Sequence, residues 1–77
     1  MKELVEYLAR LLVDDPQGVR VEEFEEDDGS LVVELTVADD DYGKVIGRGG
    51  RTAQALRTVI KAAAVKDNRR VYLDIVD

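Results

Sequence analysis

Apolar positions follow a helical period at the start of the chain and a strand period in three later segments. Residues 2–13 carry one apolar stripe at helical spacing, which predicts an amphipathic helix; it consists of Leu4, Val5, Leu8, Leu11 and Leu12. Apolar and polar residues alternate in segments 19–26, 31–38 and 70–76, which predicts three strands. Turn-forming residues at 27–30 join the first two strands, so we expect an antiparallel hairpin there. Phe24 breaks the alternation of the first strand and is compatible with a bulge or a weak strand end.

Two further helices are predicted between the second and third strands. Residues 39–41 are aspartates, which suit the N-cap and first turn of a short helix over about 40–46. Glycines interrupt at 47–50, and a long helix follows over 51–66. Its predicted buried stripe is Ala53, Leu56, Val59, Ile60, Ala63 and Ala64. The order α-β-β-α-α-β predicts one α+β domain over residues 1–77, with helices on one face of a three-stranded sheet.

Composition excludes several classes of protein. The 77 residues include no cysteine and no histidine, which excludes a disulfide scaffold, a zinc site with the usual ligands, and a Ser-His or Cys-His nucleophile. We therefore predict no enzymatic activity, no cofactor and no small-molecule substrate. The apolar runs are too short for a membrane span, and acids within the first segment argue against a signal peptide. A cytoplasmic protein without a membrane partner is expected.

The formal net charge of −6 hides an uneven distribution. Between Gly43 and Lys66 there are six basic residues and no acid, whereas the remaining chain holds 5 basic and 17 acidic residues. The six are Lys44, Arg48, Arg51, Arg57, Lys61 and Lys66. Since salt screens charges beyond about 10 Å, this basic segment can act locally despite the negative total. Arg57, Lys61 and Lys66 are equally compatible with a merely solvated helix face.

The glycines at 47–50 lie between two predicted helices, in a G-x-x-G pattern. The spacing fits neither a Walker A loop nor a dinucleotide-binding fingerprint, since Thr52 stands where the latter needs a third glycine. Glycine permits a sharp turn and close backbone approach. The amides that open the next helix lack partners within that helix, and its dipole adds partial positive charge. With Arg48 and Arg51 beside them, these amides suit a phosphodiester; a structural corner that binds nothing is the alternative.

The run VIGRGG at residues 45–50 resembles the signature of KH domains, whose GXXG loop holds the backbone of single-stranded nucleic acid. The element order resembles the type II arrangement, and the whole chain is similar to the small bacterial single-KH proteins of the KhpA family. The resemblance implies a phosphate clamp at Gly47, Arg48, Gly49 and Gly50, flanked by Lys44 and Arg51. It also implies a base groove between Val45 and Ile46 on one side and the strand around 32–36 on the other. Ala53 departs from the larger branched residue of many KH domains.

The same resemblance implies a role and partners. Single-stranded RNA is the expected ligand, and a second copy of the chain and a larger KhpB-like KH protein are the expected partners. RNA chaperoning, with effects on cell shape and envelope synthesis, is the implied role. The alternative is a protein-interaction subunit that uses the KH fold mainly to dock a partner.

Two acidic segments leave alternatives open. Residues 39–41 suit a Mg²⁺ ion, although helix capping explains them without a metal; we predict no metal site. The acidic run over 22–28 is compatible with a solvated hairpin, a surface that repels nucleic acid, or one that meets a basic partner.

Overall fold

The computed structural model describes residues 1–76 and confirms the predicted α+β fold and the order α-β-β-α-α-β. The helices are α1 (Lys2–Leu12), α2 (Tyr42–Ile46) and α3 (Arg51–Lys66). The strands are β1 (Arg20–Glu25), β2 (Leu31–Thr36) and β3 (Val71–Val76). Short 3₁₀ turns occur at Pro16–Gly18, Asp39–Asp41 and Arg48–Gly50. The predicted helix over 40–46 is therefore divided, because its first residues form a tighter turn.

The three strands form one mixed sheet with β2 in the centre. Strand β1 pairs with β2 in antiparallel fashion, as the hairpin prediction required, and β3 pairs with β2 in parallel. The parallel pairing follows from the chain path, since α2 and α3 return the chain to the end of the sheet at which β2 begins. Inward residues of the sheet pack against α1, α2 and α3 in one apolar core. The inward residues are Val21, Leu31, Val33, Leu35, Val71, Leu73 and Ile75. The opposite face of the sheet carries no helix among the described residues.

Phe24 lies in regular register rather than in a bulge. It stands opposite Val32, with its side chain on the open face of the sheet. The break in alternation arises because the inward position belongs to Glu23, whose carboxylate accepts a hydrogen bond of 2.9 Å from the backbone amide of Lys2. A polar residue there satisfies the start of α1, whose first amides have no partner within the helix.

The predicted apolar stripes of the two long helices are only partly buried. In α3, Ala53, Leu56, Ile60 and Ala64 lie in the core, including the alanine that departs from many KH domains. Val59 is 46% exposed, so its predicted burial is wrong, and Leu11 of α1 is 66% exposed. Both side chains lie at the margins of their stripes, beyond the reach of the sheet. Together they form what we call the α1–α3 patch, a shallow apolar groove at Leu8, Leu11, Leu12, Thr52, Ala55 and Val59, with Leu56 beneath it.

Candidate nucleic-acid interface

The glycine turn (residues 47–50) is built from three backbone conformations that favour glycine. Gly47 has φ 79° and ψ 169°, while Gly49 and Gly50 have φ near that of a left-handed helix, 65° and 78°. A Cβ added to Gly47 would lie 2.3 Å from Oγ1 of Thr52, whereas one added to Gly49 or Gly50 would meet nothing within 4 Å. Gly47 is therefore fixed by both conformation and packing. The outer side of the turn stays open.

Backbone donors at this turn point to a site for an anion. The turn closes through the amides of Gly50 and Arg51, which donate to the carbonyls of Gly47 and Arg48. The amides of Arg48 and Gly49 take no part in those bonds. Gly50 serves as the N-cap of α3 and supplies no side-chain hydrogen bond to it. The start of the 16-residue helix α3 thus presents backbone amides without a hydrogen-bond acceptor, together with the positive end of the helix dipole, on the surface.

Two arginines beside the turn are available to a ligand, and one lysine is already engaged. Arg48 and Arg51 are exposed and form no ion pair among residues 1–76. Lys44 instead bridges the carboxylates of Asp14 and Asp41, and its hydrogen bond to Asp14 raises the pKa of the lysine. A phosphate would have to displace Asp14 to engage Lys44. The structure therefore gathers Arg48 and Arg51 at the turn but not Lys44.

Asp41 is the residue near the turn whose role the sequence did not reveal. Its side chain is 2% exposed and accepts hydrogen bonds from the backbone amides of Asp14, at 3.1 Å, and Asp15, at 3.0 Å. The Asp14 amide, more than the Asp15 amide and Lys44, holds the pKa of this carboxyl below its usual range. The predicted N-cap is not formed, since no side chain caps α2 or the preceding 3₁₀ turn. Asp41 instead ties the segment after α1 to the base of α2.

The structure changes the expected walls of the base groove. Val45 is fully buried, so it supports the turn from within the core, and Ile46 is partly exposed. Strand β2 is central, and its Val33 and Leu35 are fully buried beneath the helices. The expected second wall around 32–36 therefore has no accessible surface on the helix side.

A small groove opens instead between α3 and the edge strand β3. Its volume is about 130 Å³, and it is lined by Arg57, Ile60, Lys61, Val71, Tyr72 and Leu73. The Arg57 Nε donates to the Leu73 carbonyl at 3.4 Å, which holds the guanidinium over the strand edge. The sequence did not predict this groove, because the groove depends on which strand lies at the edge of the sheet beside α3.

Within residues 1–76, no group of three acidic side chains is close enough to hold a metal ion. In the same part of the chain, no helix has the length and apolar character needed to cross a membrane.

Comparison with known proteins gives the family. The model of the KhpA/KhpB KH domain matches residues 2–75. The chain is 62% identical to the RNA-binding protein KhpA of Halalkalibacterium halodurans, over 100% of both chains. It is 51% identical to the RNA-binding protein KhpA of Clostridium perfringens, over 99% of this chain and 100% of the relative. No solved structure matches significantly. The chain therefore belongs to the KhpA/KhpB family of KH-domain proteins and, as its composition predicted, is not an enzyme.

Proposed function

We propose that residues 1–77 act as one KH domain that binds single-stranded RNA through the glycine turn. The observation that carries the proposal is the uncapped start of α3, with exposed Arg48 and Arg51 beside it, neither of which forms an ion pair within residues 1–76. Phosphate oxygens would accept hydrogen bonds from the turn's free amides, and the two arginines would supply full charges. The relatives named above, which are RNA-binding proteins by name, support RNA as the polymer.

The bound strand would continue from the turn into the groove between α3 and β3. A helix rises about 1.5 Å per residue, so Lys61 lies about 15 Å along α3 from Arg51. Arg57 and Lys61 line that groove, and the outer edge of β3 pairs with no strand of the described chain. Its backbone groups would offer donors and acceptors to bases. Ile46 would add apolar contact, with Val45 acting only as support.

The double substitution Arg48→Asp with Gly49→Asp tests the clamp. We expect RNA affinity to fall by about a hundredfold or more, because the positive charge of Arg48 is lost and two carboxylates are placed beside the amides that would bind phosphate. The fold should persist, since both positions are exposed and a Cβ at Gly49 meets nothing. Fluorescence anisotropy with a labelled single-stranded RNA measures affinity, and circular dichroism checks the fold.

The matched control is Arg10→Asp with Gly29→Asp, which makes the same charge change in α1 and in the β1–β2 loop, outside the glycine turn. Gly29 also has positive φ and open space around it. This control should bind RNA almost as well as the natural chain. Equal losses in the two variants would point to net charge rather than to the clamp. Unchanged binding in the test variant would reject the clamp and favour a protein-docking role.

Salt dependence gives a further expected result. About four clamped phosphates on a single strand predict a slope near −2 to −3 for the logarithm of the binding constant against the logarithm of salt concentration. Anisotropy titrations at several salt concentrations measure this slope. A slope near zero would contradict binding through phosphates.

We propose in addition that the chain forms a homodimer through the α1–α3 patch. Exposed apolar residues that share one groove are typical of an interface. A two-fold pair would bury Leu11 and Val59 of both copies, and Thr52 of the patch lies two residues after the last glycine of the clamp. Two joined clamps would strengthen binding through effective concentration.

Membership of the KhpA/KhpB family supports three further parts of the proposal. These are the formation of a complex with a KhpB-like KH protein, RNA chaperoning in the cytoplasm, and an influence on cell shape and envelope synthesis.

The substitution Val59→Glu is expected to convert the dimer to a monomer. A carboxylate buried in an apolar interface costs several kcal/mol, whereas the same residue on an exposed helix of the monomer costs little. Sedimentation equilibrium measures the mass. Val65→Glu is the control, because Val65 is exposed on the same helix but lies outside the patch. A Val59→Glu protein that remains dimeric would place the interface elsewhere.

A further inference from the structure

The sheet face turned away from the helices carries two rows of side chains that cross all three strands. Phe24, Val32 and Tyr72 lie side by side in the first row, as the pairing of β1, β2 and β3 requires. Glu22, Glu34 and Asp74 form the next row. We call these six residues the open-face patch.

The first row is apolar and largely uncovered. Phe24 is 47% exposed and Tyr72 is 49% exposed, with partly exposed Val32 between them. No helix or loop of the described chain packs over this row. A contiguous exposed apolar surface that is rimmed by polar residues is typical of an interaction site.

The second row holds three carboxylates that have no ion-pair partner among residues 1–76. Side chains opposite each other on neighbouring strands lie about 5 Å apart, and like charges there are destabilising. Among residues 1–76, none of the three acids forms a salt bridge. Arg20, next along β1 on the same face, directs its guanidinium to the carbonyls of Gln17 and Val19. The acidic row therefore repels itself in the free protein.

We propose that the open-face patch docks an arginine-bearing segment of a partner protein. Rows on one face lie about 7 Å apart along a strand, so an arginine stem lying on Phe24 or Tyr72 places its guanidinium at the carboxylates. Guanidinium binds carboxylate in bidentate fashion and stacks on aromatic faces. Binding would relieve the repulsion in the acidic row.

Other occupants fit this face poorly. RNA phosphates would meet three carboxylates, and a second copy of the chain would set acids against acids. A divalent ion lacks a cluster of three acidic ligands at coordinating distance among residues 1–76. The glycine turn belongs to the helical layer, so the patch and the clamp can be tested separately.

The test uses a short blocked peptide of alternating arginine and valine, with an alternating glutamate and valine peptide as the reference. Amide shifts of the ¹⁵N-labelled full chain locate the contact, and calorimetry measures affinity at physiological salt. The variant Glu22→Gln with Glu34→Gln and Asp74→Asn keeps shape and removes charge. The control Glu3→Gln with Asp27→Asn and Asp67→Asn removes three charges from exposed positions outside the patch.

We expect the arginine peptide to shift amides of the open-face patch and to bind the patch variant about tenfold or more weakly. The control variant should bind as the natural chain does. Tyr72→Ser should also weaken binding, with all charges intact. The patch variant should melt a few degrees higher because repulsion is removed. Equal weakening in patch and control variants, shifts spread over the acidic hairpin, or equal binding of the glutamate peptide would overturn the proposal.

Discussion

Replacing Gly47 with alanine is expected to lower the free energy of unfolding by about 3 kcal/mol, the largest effect of any single glycine substitution in the turn. The backbone at φ 79° and ψ 169° lies in a region that only glycine adopts without strain. The added methyl group would also overlap Thr52, at 2.3 Å from Oγ1 and 2.8 Å from the backbone nitrogen. Relief would require the start of α3 to move, so RNA binding should be lost as well.

Gly49→Ala is the matched control, because it tests positive φ without the overlap. Its left-handed conformation costs about 1 kcal/mol for alanine, and the added Cβ meets nothing within 4 Å. Urea denaturation of both variants gives the comparison, and RNA anisotropy shows whether the turn still functions. If Gly47→Ala were no less stable than Gly49→Ala, the close contact with Thr52 would not exist in solution.

The alternation and helical periods were sufficient to predict the fold, since each strand and long helix carries its own pattern. Helix α3 begins and ends at the predicted residues, 51–66. Its buried face was harder to predict, because the helical period of apolar residues gives no information about the width of the sheet that packs against the helix. Val59 satisfies the period and still lies outside the core. Such margin residues are predictable only when the packing partner is known.

For the candidate site too, the local features were predicted from the sequence and the contacts between distant segments were not. The glycine spacing and the acid-free segment identified the turn, because both are local properties of the sequence. Contacts between distant segments were not foreseen. The hydrogen bonds that the Asp14 and Asp15 amides donate to Asp41 span 27 and 26 residues, and the bond from Arg57 to Leu73 spans 16. No signal in the sequence separated Asp41 from the aspartates at 39 and 40.

Replacing Asp41 with alanine is expected to lower the melting temperature by on the order of 10 °C, because two backbone amides lose a charged acceptor and Lys44 loses a partner. Asp40→Ala is the control, since that aspartate is exposed and its side chain forms no hydrogen bond within the described chain. Thermal unfolding followed by circular dichroism measures the difference. RNA affinity should fall in the Asp41 variant, because α2 carries the glycine turn at its end.

The same carboxylate predicts a dependence of stability on pH. Its pKa in the folded protein is lowered from the ordinary 3.8, chiefly by the Asp14 amide. A lowered pKa contributes stability that is fully present above the unfolded value and is lost as pH falls through the folded value. The natural chain should therefore lose more stability than Asp41→Asn as the pH falls below the ordinary 3.8, and the melting temperatures of the two proteins should converge at the acid end of the titration. Since Asp28 also has a lowered pKa, through its bonds to Ser30, it titrates in both proteins and cancels in the comparison. Parallel melting curves down to pH 2 would show that Asp41 does not hold the segment after α1 as an ionised acceptor.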